Sequence, residues 1–383
     1  MQYPGRISSK LPQVGTTIFT EMSALAQQHG AVNLSQGFPD FEPDPALIEA
    51  VAKAMRDGHN QYAPMPGWMP LRERIADKMK LRYGVAYNPD TEITITAGAT
   101  QALCTAIAAT VREGDEVIVF TPAYDAYAPL IELFGGTPVY VKLNYPDYHI
   151  DWDQLQHMIS HKTRMIVLNN PHNPTGAVLK AEDLDRLEKI VNNSNILLLA
   201  DEVYEHITFD GISHQSLTSR PALAERTLAV YSFGKTFHVT GWKLGYVLAP
   251  ENLMTEFRKV HQFNVFSVHR PQQVALAEYL DSDSKWDVGS MYQAKRDEFL
   301  ELMKGSRFEA LPTHGSYFVL MDYSAISDEH DVDFARRLTI EHGVASIPVS
   351  VFYNVPTHNK VLRFCFAKNS ETLQAGSKIL KAL

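Results

Sequence analysis

Thr227-Leu228-Ala229-Val230-Tyr231-Ser232-Phe233-Gly234-Lys235-Thr236-Phe237 runs from an apolar, β-rich segment into a short glycine loop that carries a lysine. The first half reads as a buried strand. Lys235 then stands just past the strand's end. Loop lysines are usually solvated surface charges, so the meaning of this one depends on its neighbours. The next apolar run, Leu244–Ala249, follows a loop too short to hold a crossover helix, which predicts that the two strands are antiparallel.

Upstream, short β-branched runs alternate with helical stretches. Strands are predicted at Glu92–Thr96, Glu116–Phe120, Pro138–Lys142, Arg164–Asn169 and Asn195–Asp201, which with the two above make seven. This alternation is that of an α/β fold, a mainly parallel sheet covered by helices on both faces. Before the sheet come helices at Phe19–Ala26, Pro45–Arg56 and Leu71–Tyr83, with a turn at Val32–Asp40 and a proline-rich loop at Gln61–Gly67. Helices at Glu251–Gln262 and Pro271–Leu280 close the unit. The polar break Asp281-Ser282-Asp283-Ser284 then opens a smaller α+β unit: a helix at Trp286–Met303, strands at Phe308–Asp322 and Val361–Ala367 around a helix at Asp333–His342, and a last helix after Ser370. The expected organisation is an N-terminal arm with part of the small domain (1–45), a large domain (46–280) and a small C-terminal domain (281–383).

The chain has 383 residues, 45% of them hydrophobic, enough for a large core, and a net charge of -9. That charge disfavours a nucleic-acid groove or an anionic membrane surface as partner. No apolar stretch is long enough for a signal peptide or a membrane span, so the expected location is the cytoplasm. Cys104 and Cys365 lie in apolar runs and read as buried thiols, and the histidines lack zinc-binding spacing, so no metal is expected.

Ligands of open α/β sheets bind at the carboxyl ends of the strands. Just past those ends stand Gly98-Ala99-Thr100, whose free amides and hydroxyl suit a phosphate, and Asn170-Pro171-His172-Asn173-Pro174-Thr175-Gly176, a constrained loop presenting Asn173. Asp201 and Tyr204 follow the next strand. A carboxylate ending a central apolar strand calls for a cationic partner. A protonated pyridine nitrogen fits, and with a phosphate, an aldehyde and a phenolic oxygen it describes pyridoxal 5'-phosphate. Asp201 would hold the ring nitrogen protonated, Asn173 and Tyr204 the ring oxygen, and Tyr124 would stack on the ring. Lys235 would bind the aldehyde and then move the proton as general base and acid. Ser232 and Lys243 would join the phosphate group.

Asn-Pro-x-Asn-Pro-Thr-Gly, Asp-x-x-Tyr and Ser-x-x-Lys with a downstream basic-x-Gly, in this order, strongly resemble the fold-type-I pyridoxal-phosphate enzymes, specifically the class I and II aminotransferases. The resemblance covers nearly the whole chain. It implies that Arg363 grips the substrate α-carboxylate, and that the Tyr62 loop reaches the phosphate of a neighbouring subunit in a homodimer with shared sites. Lys243 departs from the frequent arginine at the basic position, and His172 occupies the variable position of its motif.

The stretch Gln36-Gly37-Phe38-Pro39-Asp40-Phe41 is similar to the subgroup of kynurenine aminotransferase, glutamine transaminase K and bacterial methionine aminotransferase, with Gly37 beside the substrate carboxylate. No second cation stands out for a distal carboxylate. Phe19, Phe38, Tyr62, Tyr124 and Phe266 would form an aromatic pocket for methionine, phenylalanine or tyrosine, possible substrates also being glutamine, histidine and kynurenine. The expected activity is transamination between such an amino acid and a 2-oxo acid by a ping-pong cycle. A carbon–sulfur β-lyase and a non-catalytic cofactor-binding regulatory module are the competing readings.

Overall fold

The computed structural model describes residue 1 and residues 4–383. Its centre is a seven-stranded sheet, in chain order β1 (Ile93–Thr96), β2 (Glu116–Thr121), β3 (Thr137–Lys142), β4 (Thr163–Asn169), β5 (Leu197–Asp201), β6 (Thr227–Ser232) and β7 (Gly245–Leu248). The spatial order is β1-β7-β6-β5-β4-β2-β3. Pairings from β3 through β6 are parallel, while β7 runs antiparallel to both β6 and β1. The short loop carrying Lys235 thus joins an antiparallel pair, as its length predicts.

The central strands are buried and mostly apolar because both faces are covered, while the edge strand β3 is exposed at Thr137 and Lys142. Val117, Val119, Leu197, Leu199, Leu228 and Val230 pack under the helices Gly98–Thr110 and Glu251–Asn264. The alternate residues Ile118, Phe120, Leu198, Ala200, Ala229 and Tyr231 join the larger core on the other face. The period of two along each strand sorts them.

A second, antiparallel sheet consists of β8 (Glu309–Ala310), β9 (Phe318–Asp322), β10 (Ile347–Pro348) and β11 (Val361–Cys365), in the order β10-β11-β9-β8. Val32–Asn33 from the N-terminal segment pairs in parallel with Val344–Ala345 beside it. The strand predicted over Phe308–Asp322 is broken in two. Pro312, Gly315 and Ser316, the last at φ 62°, turn the chain between β8 and β9. The predicted helix Asp333–His342 begins at Asp331 and ends in a wider turn over Leu338–His342. Cys104 is half-buried on its helix and Cys365 buried in β11, both as free thiols.

The turn between β8 and β9 is laced to the large sheet by main chain. His314 and Gly315 N–H both donate to Gly176 O, Ser316 N–H donates to Ile207 O, and Phe209 N–H donates to His314 O. The approach leaves no room for side chains: a Cβ on Gly315 would lie 2.6 Å from Pro171 Cβ, and one on Gly176 would lie 3.1 Å from Gly315 O.

Beneath the β5 end, Lys78 from the helix Met69–Tyr83 is fully buried and donates to both Glu205 oxygens at 2.7 and 2.8 Å and to Tyr246 OH at 2.7 Å. Burial alone would raise the Glu205 carboxyl, but Lys78 and His206 overcome it and hold the group well below the usual carboxylate range. Replacing Lys78 with Met removes the ammonium facing Glu205 in the core and leaves the carboxylate with Tyr83, Tyr246 and His206. We expect a loss of about 3–5 kcal/mol in urea unfolding, part of which Lys78→Met/Glu205→Leu restores.

Candidate active site

A cavity of about 250 Å³ opens at the carboxyl ends of the parallel strands, between the large sheet and the second sheet. The residues picked out at successive strand ends line it together: Gly98, Ala99 and Thr100 after β1, Tyr124 after β2, Asn173 after β4. Asp201 and Tyr204 follow β5, and Ser232, Lys235 and Lys243 bracket the β6–β7 loop. Gly37 and Arg363 come in from the other side. Tyr62 does not line this cavity. It is 76% exposed and packs edge-to-face on Phe266 at the surface.

Lys235 rises from the single helical turn Phe233–Thr236 into the interior. Its Nζ donates to Tyr317 OH at 2.8 Å and to Gly37 O at 3.3 Å. Burial lowers the amine to about 8, with Lys243 and Arg363 pushing the same way and Asp201 opposing them. An amine so placed carries a usable fraction of free base near neutrality, which an ordinary lysine does not.

Asp201 ends β5 and is buried. Tyr127 OH donates to it at 2.6 Å and Val203 N–H at 3.4 Å. Burial pushes the carboxyl up to about 6 against those donors, so it is ionised above that pH and faces the cavity as its carboxylate. Asn169 ties the neighbouring loop to this strand end: its Nδ2 donates to Asp201 O at 2.9 Å, and its Oδ1 accepts from Asn173 N–H at 2.7 Å. The Asn-Pro loop is thereby held with Asn173 Oδ1 against Arg363. His172, in the same loop, is buried on Thr175 and lowered to about 3, hence neutral and outside the chemistry.

Arg363 sits in β11 opposite Leu320. It donates to Asn173 Oδ1 at 2.8 Å and to Ser35 O at 3.0 Å, and its guanidinium lies 3.8 Å from the Phe318 ring centre. Its Nε has no partner among the described residues. Burial draws it down to about 10, still charged at neutral pH. Across the cavity, the N-terminus of the helix Gly98–Thr110 presents unpaired amides, with Lys243, at φ 51°, folded over it. A Cβ on Gly98 would lie 3.4 Å from Lys243 Nζ, so the glycine keeps this cradle open. Such a cradle, with Ser232 beside it, suits a phosphate dianion.

The expected aromatic wall needs correction. Phe19 and Tyr124 line the cavity, but Phe38 is 45% exposed in an outer recess over Lys368, and Phe266 lies with Tyr62 at the surface. The turn that sends the Gly37 carbonyl inward sends the next side chain out. Phe318 takes the place assigned to Phe38. Tyr127, Tyr317 and Phe318 were not picked out from sequence. Tyr127 lies three residues after Tyr124 and opens the helix Tyr127–Leu133, and Gly315-Ser316-Tyr317-Phe318 enters β9 from a glycine turn, the kind of strand end where the other site residues lie. Among the described residues, the cations lining the cavity are Lys235, Lys243 and Arg363.

Residues 29–379 match the profile of the family described as aminotransferase class I and II. The chain is 49% identical to a methionine aminotransferase of Escherichia coli, over 98% of each chain. It is 35% identical to a kynurenine–oxoglutarate transaminase of Dictyostelium discoideum, over 100% of this chain and 97% of that one. A crystal structure of an Escherichia coli protein whose reactivity identified a methionine aminotransferase function superposes with a TM-score of 0.97 at 49% identity, covering 99% of this chain and 100% of that one.

Tyr127 donates to the charged form of Asp201, so its loss disfavours that form. In Tyr127→Phe the Asp201 carboxyl is expected to titrate above about 6, read from the carboxyl ¹³C shift of aspartate-labelled protein; an unchanged midpoint would mean that the hydroxyl does nothing for it.

Proposed function

The chain belongs to the class I and II aminotransferases, and we propose that it transfers the amino group of an apolar, sulfur-containing or aromatic L-amino acid, methionine foremost, to a 2-oxo acid, with pyridoxal 5'-phosphate as cofactor. The observation that carries this is a single cavity in which a buried amine of lowered basicity, Lys235, a buried carboxylate, Asp201, and a buried arginine with a free N–H, Arg363, face one another.

The residues fit the cofactor. The open cradle at Gly98, Ala99, Thr100, Ser232 and Lys243 suits the phosphate; lysine gives a point charge where arginine would give a fork. Asp201 suits the ring nitrogen, Asn173 and Tyr204 the ring oxygen, and Tyr124 a ring face. When bound, pyridoxal phosphate supplies an aldehyde carbon that takes the amino group and a ring that accepts the electron pair left at the substrate α-carbon.

Lys235 would hold the cofactor in the resting protein, and its amine, once free, would be the group that moves the proton at the substrate α-carbon, so one residue would serve as base and acid. Asp201, ionised above about 6, would hold a protonated ring nitrogen. Arg363 binds the α-carboxylate with the N–H groups not engaged by Asn173 and Ser35, in the planar fork such a group requires. Gly37 lies close to that carboxylate and has no room to spare, since a Cβ there would meet Phe318 Cζ at 2.7 Å.

Substrate preference follows from the walls. Phe19, Phe318 and Tyr124 offer ring faces and edges that suit a thioether or another ring. Lys243 is committed to the phosphate cradle and Arg363 to the α-carboxylate, so among the described residues lining the cavity no further arginine or lysine is left for a distal carboxylate. The 49% identity to a methionine aminotransferase supports the same choice. The exposed Tyr62 and Phe266, with Phe263 at 86% exposure on the helix Glu251–Asn264, support a homodimer in which Tyr62 completes the phosphate site of the other copy.

Adding methionine alone to the cofactor-loaded protein is expected to replace the visible absorption band with the near-ultraviolet band of pyridoxamine phosphate; no visible band at any cofactor concentration would refute the reading. Lys235→Ala is expected to abolish the exchange with the fold intact. Arg363→Ala is expected to raise KM for methionine about ten- to a hundredfold, the loss of a charge-assisted contact, and an unchanged KM would remove Arg363 from the carboxylate site.

A further inference from the structure

Tyr317 stands beside Lys235 and packs against Tyr204, one of the residues assigned to the cofactor. Its ring is fully buried and wedged between Tyr204 at 5.0 Å, Phe318 at 4.9 Å and Tyr292 at 5.8 Å between centres, so it has no room to turn. Its hydroxyl donates to Gly37 O at 2.5 Å. A phenol has one proton to give. With that proton committed, the oxygen offers Lys235 Nζ, 2.8 Å away, only a lone pair. Gly37 O, at 3.3 Å, is a second acceptor for the same nitrogen.

A neutral lysine amine carries two N–H bonds and one lone pair. When Tyr317 and Gly37 accept the two N–H bonds, the lone pair is left for the cavity. In the ammonium form the same two acceptors hold two protons, and the third faces the cavity. The arrangement therefore presents whichever group the chemistry needs without the side chain moving.

Resting on the aminotransferase reading above, we propose that Tyr317 is a positioning residue for Lys235: anchored on Gly37 O, its hydroxyl receives the lysine amine whenever that amine is not bonded to the cofactor, and aims the working face of the nitrogen at the substrate α-carbon. Phenylalanine would fill the same space in the core and do neither.

The other groups facing the amine are Asp201 at the β5 end, Tyr204 in the turn after it, Lys243 from the loop before β7, and Arg363 and Cys365 on β11; burial keeps the Cys365 thiol protonated. None of the variants below alters them. The hydroxyl is a stronger partner for the ammonium than for the amine, so its loss lowers the amine further and moves the acid limb of its reactions to lower pH.

The experiment compares wild type, Tyr317→Phe, and protein with 3-fluorotyrosine placed at 317, whose electron-poor oxygen is a weaker acceptor of the same shape. The first readout is stopped-flow uptake of pyridoxal phosphate by apoprotein as a function of pH. The second is the single-turnover rate with methionine and with α-deuterated methionine. In Tyr317→Phe the acid limb of uptake is expected to move down by about one pH unit. The half-reaction is expected to slow about tenfold or more, with methionine affinity little changed and a larger deuterium effect. Fluorotyrosine is expected to shift both in the same direction by less, and it decides the matter if Tyr317→Phe does not fold. Limbs and rates equal to wild type in the folded variants would overturn the role of Tyr317 while leaving the cofactor reading intact. Wild-type apoprotein that takes up no pyridoxal phosphate would overturn that reading, and this inference with it.

Discussion

The turn after β5 places three carboxylates, Asp201, Glu202 and Glu205, in the protein interior within five residues. A buried carboxylate without partners is too costly to keep, so each is answered by donors from a different part of the chain. Glu205 takes Lys78, Tyr83 and Tyr246; Glu202 takes Leu217 N–H, His214 and Tyr231; Asp201 takes Tyr127. Glu202 and Glu205 are drawn into the core beneath the sheet while Asp201 and Tyr204 are left facing the cavity. The site is rigid at its most charged point because the residues between the working ones are pinned underneath.

The same crowding of charge explains why one pocket suits both a reactive amine and anionic ligands. Burial is the largest cause of the lowered basicity of Lys235, with Lys243 and Arg363 pushing the same way and Asp201 opposing them. The cations that disfavour a third positive charge favour a phosphate at one end and a carboxylate at the other. Arg363 remains charged because burial draws the guanidinium down only to about 10, and Asn173, Ser35 and the face of Phe318 fix its plane.

Much of this was legible in the chain. The seven strands, the antiparallel return of β7 and the residues just past the strand ends announce themselves through apolar runs broken by polar turns, because both faces of the sheet are buried and the turns are short. Residues whose importance arises from long-range packing gave no such signal. Tyr127 reads as one more aromatic on a helix, and Tyr317 and Phe318 fall in a stretch that reads as continuous strand although Pro312 and Gly315 break it. Phe38 shows the converse: its neighbour Gly37 marks the site, yet the direction of the Phe38 side chain depends on a turn held by Gln36 on Phe19 O and Ser23.

The main-chain lacing between the β8–β9 turn and the Asn-Pro loop has a mechanical consequence. Four main-chain hydrogen bonds, two to Gly176 of the Asn-Pro loop and two to the Ile207–Phe209 segment, and two close glycine contacts join the two sheets on one flank of the cavity. A hinge or slide through that flank would have to break the bonds together, so it acts as a fixed jamb. Arg363, carried on the sheet so joined, is held against Asn173 from that flank. On the opposite flank Phe19 and Gly37 ride on the N-terminal segment, which is fixed by main chain to Val344–Ala345 and β11 but meets the large sheet through side chains such as Lys235 and His238: a door with one post set in the wall.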